Sequence, residues 1–97
     1  MDNINVGATG VTKTSGATSA NVAIPNTVDG NRAKVVRLTS TALVHVKFGV
    51  DNTVAATADD LLIGPGDGVN VNCKQWAFIA YIQETASAKL NITPLEF

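Results

Sequence analysis

Charged residues are scarce in this sequence of 97 residues, since only 15% of them are Asp, Glu, Lys or Arg. A soluble domain averages about 25%. The seven basic and eight acidic residues nearly cancel, which leaves a net charge of −1. We therefore expect neither nucleic acid nor a membrane as a partner. Both are negatively charged and attract proteins that carry concentrated positive charge.

Cysteine and histidine occur once each, which restricts disulfide and metal chemistry. Cys73 has no partner for an intrachain disulfide, and its place in the alternating segment Val-Asn-Val-Asn-Cys predicts a small core residue. His45 stands on the outward face of a predicted strand, which favours a surface or interface position over a general base. A cupin-type site would need two or three histidines, so we expect no metal and no cofactor.

Long apolar runs are also missing. No run approaches the roughly 20 residues needed to cross a bilayer, and the first ten residues have neither the basic nor the apolar region of a signal peptide. We therefore expect a protein that is made and kept in a cytosol.

Catalytic motifs are absent as well. No serine lies in a Gly-x-Ser-x-Gly elbow. Asp59 and Asp60 are adjacent, and adjacent strand residues point to opposite faces, so they cannot act as a paired acid and base. We expect a protein that is not an enzyme and has no catalytic residues.

The segment Ile-Gly-Pro-Gly-Asp-Gly-Val-Asn-Val, residues 63–71, is the candidate ligand-binding loop. A phosphate loop of the Walker type needs a lysine after the glycines and then a helix. Here Val69 follows, and the pattern after it is that of a strand. Pro65 fixes φ near −65° and Gly66 permits a positive φ, which together favour a type II turn. The segment therefore predicts a chain reversal.

Short alternating segments separated by turn residues recur along the chain and predict an all-β fold. The clearest places Val44, Val46 and Phe48 on one face. Six to eight such strands without a helical period favour a small antiparallel β-sandwich or jelly roll. The predicted strands are 19–24, 33–39, 42–48, 60–63, 69–73, 76–82 and 89–93.

Other features divide the chain. We expect an N-terminal arm or edge strand over residues 1–17 and a single domain over 18–97. Asp29-Gly30 predicts a hairpin, Pro94 is expected to end the last strand, and residues 50–58 read as a loop. Because the arm has too little apolar surface to bury alone, we expect it to order against a partner. The residues expected to touch partners are Asn3, Ile4, Val6, Val11, Asp51, Asn52 and Phe97.

Several segments carry a family resemblance. They are Thr18-Ser-Ala-Asn-Val-Ala-Ile-Pro, Val36-Arg-Leu-Thr, Val46-Lys-Phe-Gly, Asp60-Leu-Leu-Ile-Gly-Pro-Gly, Phe78-Ile-Ala-Tyr-Ile-Gln and Leu90-Asn-Ile-Thr-Pro-Leu-Glu. Over residues 18–97 the sequence resembles a group of short structural proteins of tailed bacteriophages. The resemblance offers no catalytic residues.

The resemblance implies a β-sandwich virion protein, above all a capsid decoration (cement) protein that stabilises the head by binding across capsomers. It would bind the major capsid protein or other virion proteins, and form a homo-oligomer in which symmetry favours a trimer. It would be located on the capsid surface after assembly in the bacterial host cytoplasm. A neck, tail or fibre-associated protein is the nearest alternative.

Two other functions remain open from the residues. A carbohydrate-binding module would need Trp76 or Tyr81 exposed, whereas Trp76 and Phe78, two positions apart, are expected to share a face and pack in the core. A small jelly-roll enzyme would need a bound metal.

Overall fold

The computed structural model of the protein describes residues 10–27, 30–73 and 75–95. Within these residues the chain forms eight β-strands and no helix, which confirms the predicted all-β fold. The strands are β1 (Val11–Thr14), β2 (Ala20–Ala23), β3 (Val35–Ser40), β4 (Val44–Gly49), β5 (Leu61–Ile63), β6 (Val69–Asn72), β7 (Phe78–Gln83) and β8 (Lys89–Leu95). No described segment is a helix long and apolar enough to cross a membrane.

The strands form two four-stranded antiparallel sheets. Sheet 1 has the order β1-β8-β3-β6, and sheet 2 has the order β2-β7-β4-β5. Strands at equal distances from the two ends of the series pair with each other: β1 with β8, β2 with β7, β3 with β6 and β4 with β5. A long antiparallel hairpin rolled into two sheets gives this order, which is that of a jelly roll.

The core lies between the sheets and is supplied by every second strand residue, as alternation requires. On β3, Val36 and Leu38 are fully buried, whereas Arg37 between them is exposed. On β4, Val44 and Val46 are likewise buried because they are two positions apart and point to the core. Further core residues are Ile63, Ile79, Tyr81, Leu90 and Ile92. Burial of each large apolar side chain contributes about 1.5–3 kcal/mol, which makes this layer the main source of stability.

Connections between consecutive strands mostly cross from one sheet to the other. The exception is the link from β4 to β5, which are neighbours in sheet 2. The hairpin predicted at Asp29-Gly30 is therefore wrong, because β2 pairs with β7 whereas β3 pairs with β6 and β8. Gly30 has a φ of 83°, as a turn requires, while Asp29 lies outside the described residues.

The last strand is longer than predicted. β8 runs through Pro94 to Leu95, and Pro94 is fully buried. Among the described residues β8 pairs with β1 as far as Ile92, whereas its pairing with β3 continues to Leu95. A proline is tolerated in a strand where one side of the ladder is not used. The prediction that Pro94 ends the strand is therefore wrong.

Candidate functional site

The residues predicted to touch partners fall into two groups. Outside the described residues lie Asn3, Ile4, Val6 and Phe97. Val11 opens β1, at the edge of sheet 1, and its half-buried side chain packs against the core. Part of its apolar surface is therefore already used within the domain.

The connection between β4 and β5, residues 50–60, crosses the outer face of sheet 2, and we call it the strap. The side-chain amide of Asn21, on β2, donates a hydrogen bond of 2.9 Å to the carbonyl of Asn52. The hydroxyl of Ser19 accepts a hydrogen bond of 2.8 Å from the N–H of Ala56. Because β7 lies between β2 and β4, the strap spans at least three strands.

Small residues beneath the strap let it lie close to the sheet. Ala80 points away from the core, directly opposite Asn21 on β2, and is nevertheless fully buried. A Cβ atom placed on Gly49 would lie 2.5 Å from the Cβ of Val54. A larger side chain at either position would push the strap off the sheet.

Asp51 and Asn52 occupy an exposed turn at the start of the strap. The Asp51 carboxylate accepts hydrogen bonds from the hydroxyl and the backbone N–H of Thr53, which lower the pKa of this carboxyl. The carbonyl of Asn52 is held by Asn21. The turn is thus fixed by its own bonds, and contact of these two residues with a partner remains a prediction.

His45 is buried, in contrast to the surface or interface position that alternation predicts. It lies on the outer face of sheet 2, as expected, but is only 4% exposed. Its neighbours in the sheet are Ile82 on β7 and Leu62 on β5, and its Nδ1 lies 2.9 Å from the carbonyl oxygen of Asp60, at the end of the strap. The sequence pattern defines the face of the strand but does not reveal the segment that closes over it.

The segment from Gly64 to Asp67 is a type II turn. The N–H of Asp67 donates to the carbonyl of Gly64 at 3.1 Å, and Gly66 has the positive φ of 83° that this turn requires at its third position. The Asp67 carboxylate accepts a return bond of 3.2 Å from the N–H of Gly64. The turn carries the chain from β5 in sheet 2 to β6 in sheet 1. The predicted chain reversal is confirmed.

β5 is one of the two edge strands of sheet 2 and presents large apolar side chains to solvent. Leu61 is 50% exposed and Leu62 is 45% exposed, and the two point to opposite faces of the strand. Leu43, just before β4, is 39% exposed. A Cβ atom placed on Gly64 would lie 3.5 Å from Cδ2 of Leu43. Leu43 therefore lies beside the end of β5. We call Leu43, Leu61 and Leu62 the leucine edge.

Other edge strands carry polar protection that β5 lacks. On β1, Lys13 pairs with Leu90 on the side of the strand that faces the core, and an inward lysine discourages pairing with a further strand. β6 presents Asn70 to solvent, and β2 presents Asn21 to the strap. Sequence reasoning identified the β5 strand but missed this surface. The available signal was two adjacent leucines in a three-residue strand that contains neither charge nor proline.

The outer face of sheet 1 is covered mainly by short uncharged polar groups that bond to one another. The Asn91 amide donates to the hydroxyl of Thr12 at 3.0 Å, across the pair β1 and β8. The Thr93 hydroxyl donates to Asn91 at 2.6 Å. Arg37 donates to the side-chain oxygen of Asn70 at 3.2 Å, across β3 and β6. Such cross-strand pairs stabilise the sheet and keep this face polar.

Within the described residues, the aromatic side chains do not form an exposed platform. Tyr81 is buried in the core and Trp76 is half-buried against it. Because β7 begins at Phe78, its alternation does not extend back to Trp76. Phe78 alternates with the core residue Ile79 and pairs with Gly49, whose free side faces the strap. The prediction that Trp76 and Phe78 share a face is therefore wrong.

Cys73 is fully buried, and its thiol donates to the carbonyl of Ala33 at 3.4 Å. Burial raises the pKa of this thiol, and the prediction of a small core residue is confirmed. Within residues 10–27, 30–73 and 75–95, no three His, Cys, Asp or Glu side chains converge as metal ligands would.

Two features therefore define the candidate site: the strap over sheet 2, and the leucine edge beside it. Both lie on the same sheet and meet where Asp60 joins the strap to β5. The resemblance to structural proteins of tailed phages stays a prediction. In comparisons with known proteins, the chain matches no protein-family model, no curated protein and no solved structure.

Proposed function

We propose that the protein is a structural protein of a tailed-bacteriophage particle, specifically a decoration protein that binds the capsid surface across capsomers. The observation that supports this proposal most directly is the leucine edge on a jelly roll. Viral capsid proteins share the jelly roll with lectins and cupins. Because one fold serves many functions, the proposal rests on the surface of the domain and not on its fold alone.

The leucine edge favours contact with another protein chain. An edge strand with exposed apolar side chains is a liability for an isolated protein, since it invites association. Covering the exposed half of one leucine contributes about 1 kcal/mol. Three leucines therefore supply the apolar centre of an interface, and the surrounding polar surface supplies its rim.

The lattice of a capsid supplies the remaining binding free energy. A standard interface buries about 1,600 Å² in total, which is more than a three-residue strand and its flanks provide. Contacts to two or three neighbouring capsomers add up, because each further contact is made at high effective concentration. The proposed partner is the major capsid protein, and copies of this chain meet at symmetry axes, with the three-fold axis preferred. Asp51 and Asn52 are proposed as further exposed contacts, on the part of the strap that bonds to β2.

The alternative as a carbohydrate-binding module has weaker support. It depends on exposed aromatic rings, and Tyr81 is buried while Trp76 packs half-buried against the core. A neck, tail or fibre position uses the same kind of protein contact as a capsid position. The experiment below therefore includes those assemblies.

The test is binding of the purified protein to undecorated heads of the parent phage. Bound copies are measured by sedimentation and gel densitometry over a range of protein concentrations. We expect saturation at a fixed number of copies per capsomer. The double variant Leu61→Ser, Leu62→Ser should bind at least tenfold more weakly, from the loss of about 1 kcal/mol or more per side chain.

The control is Asn70→Ser. Asn70 is exposed on β6, at the edge of sheet 1 and outside both the strap and the leucine edge, so binding should be unchanged. Saturable binding to isolated necks or tails and not to heads would favour the alternative position. Absence of binding to every assembly would refute the proposal.

A further inference from the structure

The single histidine of the chain is placed between the strap and the end of a neighbouring strand. The His45 side chain is 6% exposed. One ring nitrogen, Nδ1, lies 2.9 Å from the carbonyl oxygen of Asp60 in the strap. The other, Nε2, lies 3.2 Å from Oε2 of Glu84, which directly follows β7. The imidazole therefore bridges two parts of the chain that are far apart in sequence.

The partners define how protons are arranged on the ring. A carbonyl oxygen only accepts hydrogen bonds, so Nδ1 carries a proton and donates to Asp60. In a neutral ring Nε2 then presents a lone pair toward the Glu84 carboxylate, which is repulsive. Nε2 is buried and has no hydrogen-bond partner, although Oε2 of Glu84 lies 3.2 Å away. Only a second proton makes the arrangement attractive on both sides.

We propose that His45 is a pH-operated latch that fastens the strap to sheet 2. In the protonated state the imidazolium holds the Asp60 carbonyl on one side and the Glu84 carboxylate on the other. Loss of the proton removes the attraction to Glu84 and loosens the end of the strap next to β5. The latch stands on the geometry of these three residues and does not depend on the proposed role in a virion.

Other charged groups near the latch belong to the elements that surround it. Lys47 is the next outward residue on β4. The pKa of the Asp60 carboxyl is lowered chiefly by the hydrogen bond from the backbone N–H of Thr57, and the positive charge of Lys47 lowers it further. The sheet neighbours of His45, Leu62 and Ile82, are apolar. Glu84 is thus the acid that faces Nε2, while the carboxylate of Asp60 is already held by Thr57.

The direction of the pH dependence follows from these contacts. The pKa of His45 is raised above its ordinary value of 6.5, first by the hydrogen bond to the Asp60 backbone, against the opposing effect of burial, and further by Glu84. The native state then binds more protons than the unfolded state between the two pKa values. Stabilisation by the latch is complete below pH 6.5 and is lost as pH rises through the folded pKa.

The other attachments of the strap do not involve histidine. The bonds from Asn21 to Asn52 and from Ala56 to Ser19 lie at its beginning and middle. We therefore expect the end of the strap, residues 57–60, to respond to pH in this range, and residues 50–56 to respond less.

The experiment combines an NMR titration of His45 with urea unfolding at several pH values. In the wild-type protein we expect a His45 pKa above 6.5, and an unfolding equilibrium constant that rises by up to about tenfold per pH unit as the ring deprotonates. Glu84→Gln should lower the His45 pKa and flatten the pH dependence of unfolding, because Glu84 raises that pKa in the wild-type protein. Asp59→Asn replaces an exposed acid within the strap end that is not a partner of the imidazole, and it should change neither.

Hydrogen exchange tests whether protonation of His45 holds the strap in place. A histidine whose pKa is shifted without holding the strap would leave exchange in the strap independent of pH. After correction for intrinsic exchange, residues 57–60 should lose protection between pH 6 and pH 8 in the wild-type protein. The loss should be absent in His45→Gln. A wild-type His45 pKa at or below 6.5, an unchanged pKa in Glu84→Gln, or exchange at 57–60 that ignores pH would each overturn the proposal. The wild-type and Glu84→Gln measurements decide the matter even if His45→Gln does not fold.

Discussion

Two hydrogen bonds join Ser15 and Ala88, which are 73 positions apart in the sequence. The N–H of Ala88 donates to the Ser15 hydroxyl at 2.8 Å, and the N–H of Ser15 donates to the carbonyl of Ala88 at 2.7 Å. Both residues are buried, with Ser15 only 2% exposed. The pair extends the ladder between β1 and β8 by one step, with a side chain in place of a backbone carbonyl.

Replacing Ser15 by alanine should destabilise the protein by about 1–3 kcal/mol, because the buried N–H of Ala88 loses its acceptor. Urea unfolding at pH 6 measures the change in free energy. Ser87→Ala, at an exposed neighbouring position, is the matched control and should shift stability by no more than about 0.5 kcal/mol. Equal effects of the two substitutions would contradict this account.

Gly66→Ala should cost about 1–2 kcal/mol, because an L-residue at a φ of 83° is strained in the type II turn. Gly16→Ala tests the reverse case: its φ is not in that region, and a Cβ there would meet no atom within 4 Å. Its effect should be near zero or slightly stabilising. The comparison is made by thermal unfolding, and a harmless Gly66→Ala would show that the turn tolerates another conformation.

The Cys73 thiol should react slowly with a disulfide reagent in the native state. Its sulfur is fully buried, and burial raises its pKa, so little thiolate is available for reaction. We expect labelling to be slowed by roughly 100-fold or more relative to protein in urea, since it requires opening of the fold. Absorbance of the released reagent measures the rate. Equal rates in buffer and in urea would place the thiol at the surface.

The strap should also loosen in strong acid. Hydrogen bonds from Thr53 lower the pKa of Asp51, and bonds from Thr57 lower that of Asp60. Stabilisation from such carboxylates is present above their ordinary value of 3.8 and is lost as pH falls through the folded pKa.

Hydrogen exchange of residues 50–60 is the measurement for this acid limb. Protection should fall as pH drops below 3.8, while the sheets keep their protection for longer. In Asp60→Asn the acid response at residues 57–60 should weaken, and in Asp59→Asn it should persist. Loss of protection in the sheets at the same pH would indicate global acid unfolding instead.

Much of the strand content could be predicted from local pattern. The alternation of Val44, Val46 and Phe48 predicts β4 because a pleated strand turns every second side chain to one face. The turn at Pro65-Gly66 was predictable because few residue pairs fit its backbone angles. These inferences hold because they depend on the conformational preferences of a few neighbouring residues.

Inferences about neighbours in space were less successful. The hairpin at Asp29-Gly30 failed because the strands on either side belong to different sheets. Pro94 did not end β8, since β1 leaves that position without a described partner. His45 was assigned to the surface because nothing in residues 42–48 indicates that a connection later in the chain will cover their outer face.

The sequence by itself therefore determined the class of the fold, the positions of most strands and the main turn, since these follow from side-chain alternation and backbone angles. Only the tertiary structure decided the jelly-roll strand order, the burial of His45 beside Glu84 and the exposure of Leu61 and Leu62. Each of these depends on which segments meet across long stretches of chain, and that is set by the packing of the whole core.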